Sequence, residues 1–336
     1  MDILIGLLAV VVLGFFPMLI YSTILWWFDR YEKEPLGLLV IAFLWGAVPA
    51  IIFSVIAQLV FDIPIVQLAG PGLGADFMNA SFIAPLTEEP FKALLLLLLI
   101  LAFHREIDSP LDGILYGGLI GCGFAATENV LYFLGAFSTS GLLGVLGLAF
   151  LRALLFGLNH ALFTACTGLG LALARTTPHT TVKIVAPAAG LAAGMALHAI
   201  HNAGTVLAPA LGWPILISIV ADWGGVLAMI GTIVWISLRE RQWIVDQLAE
   251  EVDIGTLGKR EYEVIQSYPK RVAERLRALL AFDFSRWWAL ETYYRLATKL
   301  AFTKQSWEAH GKEQATFLRI EAMRKELYQL RSRRSE

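Results

Sequence analysis

Ionisable side chains that could carry out hydrolysis lie inside stretches of this sequence that are otherwise strongly apolar. Glu88, Glu89 and Lys92 fall within one such stretch, and Glu128 falls within the next. A carboxylate in a pocket with little water can take a proton from a water molecule and so activate it as a nucleophile. Because a charge in lipid costs several kcal/mol unless it is paired, hydrated or bound to a metal, these residues predict a polar functional site inside a membrane.

Two histidines extend this predicted site. His160 and His198 lie in later apolar stretches, and Asn202 follows His198 by one helical turn. His198 and Asn202 could therefore donate hydrogen bonds to an oxyanion. Together with one carboxylate, Glu88 or Glu128, the two imidazoles would form a catalytic site for zinc or another divalent metal. The HExxH signature of many zinc proteases is absent from the sequence. A metal-free glutamate mechanism is therefore the alternative.

The carboxylates have different predicted roles. Glu88 or Glu89 is the expected general base, and Lys92, about one turn further along the same helix, can neutralise either of them. Glu128 is expected to be a metal ligand or a second acid–base group. The structural alternatives are an intramembrane ion pair for the Glu-Glu-Lys group, a helix–helix hydrogen bond for Glu128, and packing for the histidines.

Two further polar residues lie close to these groups in the sequence. His201 follows His198 by three residues and could replace it. Asp222 lies in the last apolar stretch, where it could join the cluster, cap a helix or pair with Arg152. Neither has a partner at the spacing of the motifs, so both rank below the residues named above.

The elements that must position these groups are membrane helices. The 336 residues are 57% hydrophobic and only 16% charged, with a mean hydropathy of +0.66, which is typical of a polytopic membrane protein. A helix needs about 20 apolar residues to cross the hydrocarbon core of a bilayer. The sequence predicts an all-α bundle with about seven spans, near residues 3–28, 36–61, 80–103, 112–134, 150–174, 184–207 and 214–237. Residues 142–150 could form an interfacial or re-entrant segment before the fifth span.

The connections between spans predict the orientation in the cell membrane. Every second connection contains basic residues, namely Arg30 and Lys33, Arg105, Arg175 and Lys183, and the region of Arg239 to Arg241. The alternate connections, residues 62–79, 135–149 and 208–213, contain no Lys or Arg. Positive charge is retained on the cytoplasmic side, so we expect the N-terminus outside and the C-terminus in the cytoplasm. The predicted polar groups then lie in the outer half of the bilayer, at about 1.5 Å of depth per residue.

The C-terminal region differs from the rest of the chain. Residues 239–336 hold 19 of the 26 Lys and Arg residues and 15 acidic residues, which divides the chain into a membrane domain, 1–238, and a tail, 239–336. Apolar residues at helical spacing predict amphipathic helices in the tail, for example Val272, Leu276, Leu279 and Leu280. Aromatic and basic residues alternate near Trp287, Trp288, Tyr293 and Tyr294, which suits either a surface at lipid headgroups or a soluble helical domain. Nucleic-acid binding is not expected, because acids nearly balance bases.

The order of the motifs resembles the PrsW family of intramembrane proteases, which is related to the type II CAAX prenyl endopeptidases. The motifs are Glu88-Glu89-x-x-Lys92, Phe124-x-x-x-Glu128-Asn129, His160 and His198-x-x-x-Asn202, preceded by a loop from Asp29 to Pro35. The resemblance covers roughly residues 15–240 and implies hydrolysis of a membrane-anchored protein, such as an anti-sigma factor, near its extracytoplasmic side. In the CAAX group the second motif ends in His where this chain has Glu128, so the roles do not transfer directly.

The sequence therefore predicts an intramembrane endopeptidase, and a rival class is a proton- or ion-coupled transporter. Glutamates and histidines inside spans also suit a proton relay. A transporter built from repeats should show a related polar pattern in both halves, and the Glu-Glu-x-x-Lys segment does not recur after residue 150. A third possibility is a non-catalytic scaffold, whose function would survive replacement of Glu88 and His198 by Ala.

Overall fold

The computed structural model describes residues 2–103, 106–309 and 313–335, and its regular structure there is helical throughout. Arg105, one of the basic residues used to predict the orientation, lies outside the described residues. The helices are α1 (Asp2–Phe28), α2 (Leu36–Trp45), α3 (Ile51–Ala69), α4 (Leu73–Met78), α5 (Ala84–Ala102), α6 (Pro110–Ala149), α7 (Asn159–Thr176), α8 (Thr180–Leu211), α9 (Pro214–Asp253), α10 (Lys259–Ile265), α11 (Tyr268–Leu280), α12 (Phe284–Ala309) and α13 (Gln314–Ser335). Short π-helical segments, Gly46–Ala50, Asn79–Ile83 and Phe150–Leu155, join α2 to α3, α4 to α5 and follow α6.

Five helical stretches of the described chain are long and apolar enough to cross a membrane. They are Ile3–Phe28, Leu36–Gln67, Pro110–Thr176, Thr180–Leu211 and Pro214–Asp253. The prediction of an all-α membrane bundle is confirmed. The stretch Pro110–Thr176 contains two of the predicted spans, and α5, which carries Glu88, Glu89 and Lys92, is not among the five. The number of seven spans and the orientation stay predictions.

The polypeptide between the predicted fourth and fifth spans is kinked rather than straight. Gly141 interrupts α6 with a φ of 64° and a ψ of −157°, a conformation that glycine adopts without the steric cost of a Cβ atom. After the π-helical segment a turn at residues 156–158 precedes α7, which begins at Asn159. The helix α7 thus begins about two turns after residue 150, the predicted start of the fifth span, and the position of that span in the membrane stays a prediction.

Close approach of backbones fixes α6 against its neighbours. α6 packs along both α1 and α7, and a Cβ atom at Gly121 would lie 2.2 Å from the carbonyl oxygen of His160 on α7. Gly113 and Gly168 also face each other, with a Cβ atom at Gly168 falling 1.9 Å from the Gly113 carbonyl oxygen. Small residues permit such close packing between membrane helices. The glycines of α6 thereby set the position of the backbone that carries His160.

The variant Gly121→Ala is expected to lower the stability of the folded protein. The new methyl group must push α7 away, and overpacking of this kind costs about 1–3 kcal/mol. Gly135→Ala, on the same helix, is the matched control because no atom lies within 4 Å of a Cβ at that position. Thermal unfolding of the two variants in detergent measures the difference. Equal unfolding temperatures would contradict the proposed close approach of α6 and α7.

The described chain forms two compact units. One contains residues through Phe28 together with Glu34–Ile233, and the other contains Asp29–Lys33 together with Val234–Glu336. The division falls within α9, close to the predicted boundary at residue 238, and the loop 29–33 joins the second unit. Whether the two units are separate functional domains stays a prediction.

The second unit has its own buried core. Ile244, Leu248, Tyr293 and Leu300 belong to a buried apolar cluster. Tyr293 and Tyr294 are buried and Trp288 is exposed, and whether this segment meets lipid headgroups or belongs to a soluble helical domain stays a prediction. The helix α11 forms as predicted, with Leu276, Leu279 and Leu280 exposed and with Arg271 and Ala278 buried.

Candidate active site

α5 carries three charged residues into the interior of the first unit. Glu88 and Glu89 are buried, and Lys92 is fully buried. The Lys92 Nζ lies 3.2 Å from Glu88 Oε2 and 2.8 Å from Glu89 Oε1, and 3.8 Å from the centre of the Phe124 ring. One ammonium therefore neutralises much of the charge of two carboxylates, which makes burial of the three groups tolerable.

α7 brings His160 to the same ammonium. The Nδ1 atom of His160 lies 3.0 Å from Lys92 Nζ, and its Nε2 atom lies 2.8 Å from Glu128 Oε2. A lysine ammonium can only donate hydrogen bonds, so the Nδ1 atom of His160 accepts. The neutral tautomer that fits these two contacts carries its proton on Nε2, the ring atom close to Glu128.

α8 places His198 on the other side of the pair of glutamates. Its Nδ1 atom lies 3.0 Å from Glu89 Oε1, and its Nε2 atom lies 3.9 Å from Glu88 Oε2. The ring stacks on Phe163 with 4.9 Å between centroids. Thr164 donates a hydrogen bond of 3.2 Å to the second oxygen of Glu89. Glu89 is therefore held on both oxygens and orients the imidazole of His198.

Four of the predicted residues form one group of possible metal ligands. Glu88, Glu89, His160 and His198 each offer one ligand atom, and the four atoms lie within 4.8 Å of one another. Nitrogen and carboxylate oxygen are the donors that catalytic zinc sites use, so the residues fit a divalent ion. Lys92 contacts three of these side chains, so binding of a divalent ion requires Lys92 to lose at least one of these contacts.

Glu128 lies outside this group of four. Its Oε2 atom is 2.8 Å from the Nη2 atom of Arg152, whose Nε donates to Asn129 Oδ1 at 3.0 Å. Arg152 therefore pairs with Glu128, and the suggestion that it pairs with Asp222 is wrong. The predicted role of Glu128 as a metal ligand stays a prediction.

A buried His–Asp pair stands beside these residues. The Nδ1 atom of His201 is 2.6 Å from Asp222 Oδ2, and both side chains are buried. Asp222 is contributed by α9, so no spacing within α8 could reveal it. The sequence signal for Asp222 is its position inside an apolar stretch, which is compatible with each of the three roles predicted above.

The site borders a cavity of about 1030 Å³ in the first unit. Glu88, Glu128, His160, His201 and Asn202 line it. Asn202 donates one hydrogen bond, of 2.7 Å, to the carbonyl oxygen of Ala80. An amide nitrogen has two N–H groups, so a second donor of Asn202 is left for a ligand. Glu89, Lys92 and His198 lie behind the wall of the cavity, since they are not among its lining residues.

Known protein families provide a context for this geometry. The sequence model that matches residues 34–238 describes a "PrsW family intramembrane metalloprotease". The chain belongs to the PrsW family. This confirms the resemblance based on the order of the motifs, and the matched range contains every residue of the candidate site.

Individual PrsW relatives match parts of the chain. It is 34% identical over 142 residues to "Protease PrsW" of Geobacillus kaustophilus, covering 42% of this chain and 55% of that protein. It is 31% identical over 199 residues to "Protease PrsW" of Oceanobacillus iheyensis, covering 58% of this chain and 82% of that protein. The chain thus spans about half the length of the first relative and most of the second. No solved structure matches the chain significantly.

Proposed function

We propose that this PrsW-family chain is an intramembrane endopeptidase whose site is built from Glu88, Glu89, His160 and His198. The convergence of these four buried side chains beside a large cavity carries the proposal. They come from α5, α7 and α8, and burial of so many ionisable groups is difficult to explain by packing alone. Hydrolysis requires a base, an orienting group and donors for the oxyanion, and the side chains of the site can supply each of these.

Glu88 is the general base in this proposal. It lines the cavity, whereas Glu89 does not, so a water molecule in the cavity can reach Glu88 directly. Gln58 donates a 3.0 Å hydrogen bond to Glu88 Oε1, and Lys92 contacts its Oε2. These contacts fix the carboxylate, which takes a proton from the attacking water and later delivers it to the amine that leaves.

Glu89 acts through His198 rather than on the substrate. Its contact with His198 Nδ1 fixes the orientation of the ring and leaves Nε2 on the side of Glu88. Asn202 keeps one amide N–H for the cavity, where it can donate to the carbonyl oxygen of the substrate as negative charge develops there. Donors placed before the reaction stabilise an oxyanion without reorganisation.

A divalent ion, which we propose to be zinc, fits this site. His160, His198 and Glu128, whose Oε2 atom lies 2.8 Å from His160 Nε2, would hold it and leave Glu88 free to act as the base. A bound zinc ion lowers the pKa of a ligated water and polarises the substrate carbonyl. The metal-free alternative relies on Glu88 and the hydrogen-bond donors alone.

The proposed substrate is a membrane-anchored protein, such as an anti-sigma factor, cut near its extracytoplasmic side. The family relationship and the apolar helices around the site support a substrate that reaches the cavity from the bilayer. The predicted orientation, with the N-terminus outside and the C-terminus in the cytoplasm, places the site in the outer leaflet. A proton- or ion-coupled transporter is not favoured, because the family relationship indicates a peptidase.

The test is cleavage of a tagged single-span protein by the purified chain in liposomes. Wild type is expected to release a fragment whose new terminus mass spectrometry can identify. Glu88→Gln is expected to release none. Wild-type protein that is folded and reconstituted yet cuts no single-span substrate from a panel of such proteins would refute the proposal.

His201 is a further candidate donor toward the substrate. It lines the cavity, and Asp222 holds its Nδ1 atom, so its Nε2 atom is the one left for a ligand. We expect Asp222→Asn to reduce kcat/KM about 10- to 100-fold, because a neutral amide replaces the charged acceptor, whose hydrogen bond is worth about 1.5–3 kcal/mol, and can instead donate to Nδ1 and so change the tautomer of the ring. Steady-state cleavage measures it, with Asp246→Asn, at an exposed site on α9, as the control. An unchanged kcat/KM in Asp222→Asn would remove His201 from the reaction.

A further inference from the structure

The turn between α11 and α12 carries an exposed apolar surface. We call this surface, from Leu276 to Trp288, the hairpin tip. Its large apolar side chains are 43% to 80% exposed: Leu276, Leu279, Leu280, Phe282, Phe284 and Trp288. Contiguous exposed apolar side chains of this size mark an interaction site rather than ordinary surface.

A cluster of cations is formed by α11, α12 and the loop 29–33. Five basic side chains, together with Glu291 and two tyrosines, surround a hollow of about 20 Å³ that we call the basic pocket. The basic residues are Arg30, Lys33, Arg271, Arg275 and Arg295. Glu291 pairs with Arg275, and the lining holds five basic side chains and one acidic side chain.

Arg271 is a buried residue in the lining of the basic pocket. Its Nη2 atom donates to the carbonyl oxygen of Arg30 at 2.9 Å, and its guanidinium lies 5.0 Å from the centre of the Tyr31 ring. It is 5% exposed. Its buried Nε atom has no acceptor among the described residues. Arg271 therefore holds the loop 29–33 in place and still has a hydrogen bond to give.

The cations of the basic pocket act on one another. Burial lowers the pKa of Lys33 to about 8, the nearby Asp29 carboxylate opposes this shift, and Arg275 and Arg271 add to it. Cations that disfavour one another in this way gain from an anion placed between them. A hollow of about 20 Å³ has room for about one water-sized group, so the oxygen of a phosphate can enter, whereas a nucleotide cannot.

Position along the chain indicates where such a phosphate would come from. Asp29 follows α1 directly, and α1 is long and apolar enough to cross a membrane. On α11, Arg275 and Leu279 are one turn apart and share a face, and on α12 Glu291 follows Trp288 by three residues. The basic pocket and the hairpin tip are thus neighbours, as the phosphate and the acyl chains are in a phospholipid.

We propose that the basic pocket binds the phosphate group of an anionic phospholipid while the hairpin tip enters the acyl region of the same leaflet. The second unit then docks on the membrane surface through both contacts. Charge complementarity selects an anionic lipid over a zwitterionic one, and the exposed Phe282 and Trp288 side chains leave water for lipid.

The first experiment measures which lipids remain with the full-length protein. The protein is purified in detergent that contains equal amounts of phosphatidylglycerol and phosphatidylcholine, and each lipid that co-purifies is quantified. Wild type is expected to be enriched in phosphatidylglycerol, and Lys33→Gln and Arg295→Gln are each expected to reduce the enrichment about fivefold. Lys325→Gln, an exposed lysine on α13, is the control and should match wild type. Equal enrichment in all four proteins would overturn the proposal.

The second experiment measures the hairpin tip. The fluorescence of Trp288 is obtained as the difference between wild type and Trp288→Phe. In nanodiscs with brominated acyl chains, this fluorescence is expected to be quenched in wild type and not in Phe282→Ser. Lack of quenching in wild type would refute insertion.

Two other results would overturn the proposal. Inorganic phosphate that binds in lipid-free detergent and displaces phosphatidylglycerol would assign the basic pocket to a soluble anion. A dimer that Phe282→Ser converts to a monomer would assign the hairpin tip to a second copy of the chain.

Discussion

Glu88→Gln is expected to reduce cleavage of a membrane-anchored substrate by about 10²- to 10⁴-fold, the usual contribution of a general base. Glutamine keeps the size of the side chain and can still contact Gln58, yet it cannot take a proton from water. The loss should appear in kcat rather than in KM, because the residue acts on water and not on substrate binding. Initial rates in liposomes over a range of substrate concentrations separate the two constants.

The control for this variant is Glu326→Gln, which makes the same replacement at an exposed position of α13. It is expected to cleave as wild type does. Thermal unfolding of both variants tests whether a lost rate reflects a lost fold. If a folded Glu88→Gln protein keeps wild-type kcat, then Glu88 is not the base.

Metal content is expected to depend on the two histidines of the site. Purified wild type should hold about one equivalent of zinc or a related divalent ion, as a catalytic site does. His160→Ala and His198→Ala each remove a nitrogen donor and should lower metal content to background, because two protein ligands retain an ion poorly. Elemental analysis of the folded proteins measures it without reference to activity.

His179→Ala is the matched control for the metal experiment, since His179 is exposed and remote in sequence from the site motifs. It is expected to keep the wild-type metal content. Wild type that is active and free of metal after chelation would support the metal-free glutamate mechanism. Metal that remains in both His160→Ala and His198→Ala would place the ion elsewhere.

Much of the fold could be predicted because the physics of the bilayer leaves few choices. Long uncharged stretches must form helices in lipid, where backbone groups find no water, and α1 and α8 follow their predicted ranges closely. The break at Gly141 and the late start of α7 at Asn159 were less visible. They depend on local backbone conformation, which hydropathy does not report.

The members of the candidate site were predictable, but their pairing was not. The cost of charge in lipid predicts that Glu88, Glu89, His160 and His198 are functional residues. The structure brings these four side chains together. Which carboxylate faces the cavity depends on the rotation of α5, and the partner of Arg152 depends on how α6 folds back. Contacts between helices that are distant in sequence are set by packing, so no spacing encodes them.

The tail shows a different limit of sequence reasoning. Helical spacing correctly predicts helices there but leaves open what covers the apolar positions of α11. The structure buries Arg271 and exposes Leu279 and Leu280. Periodicity identifies an apolar face but does not say whether protein or lipid covers it.

A double-mutant cycle between Glu88→Gln and His160→Ala, measured as kcat/KM for cleavage in liposomes, tests most directly whether far-apart residues form one hydrolytic site. Groups that act as a unit give effects that are far from additive. We expect each single variant to lose most activity and the double variant to be about as active as the weaker single variant. Losses that multiply, or single variants that cleave as wild type does, would contradict a shared site.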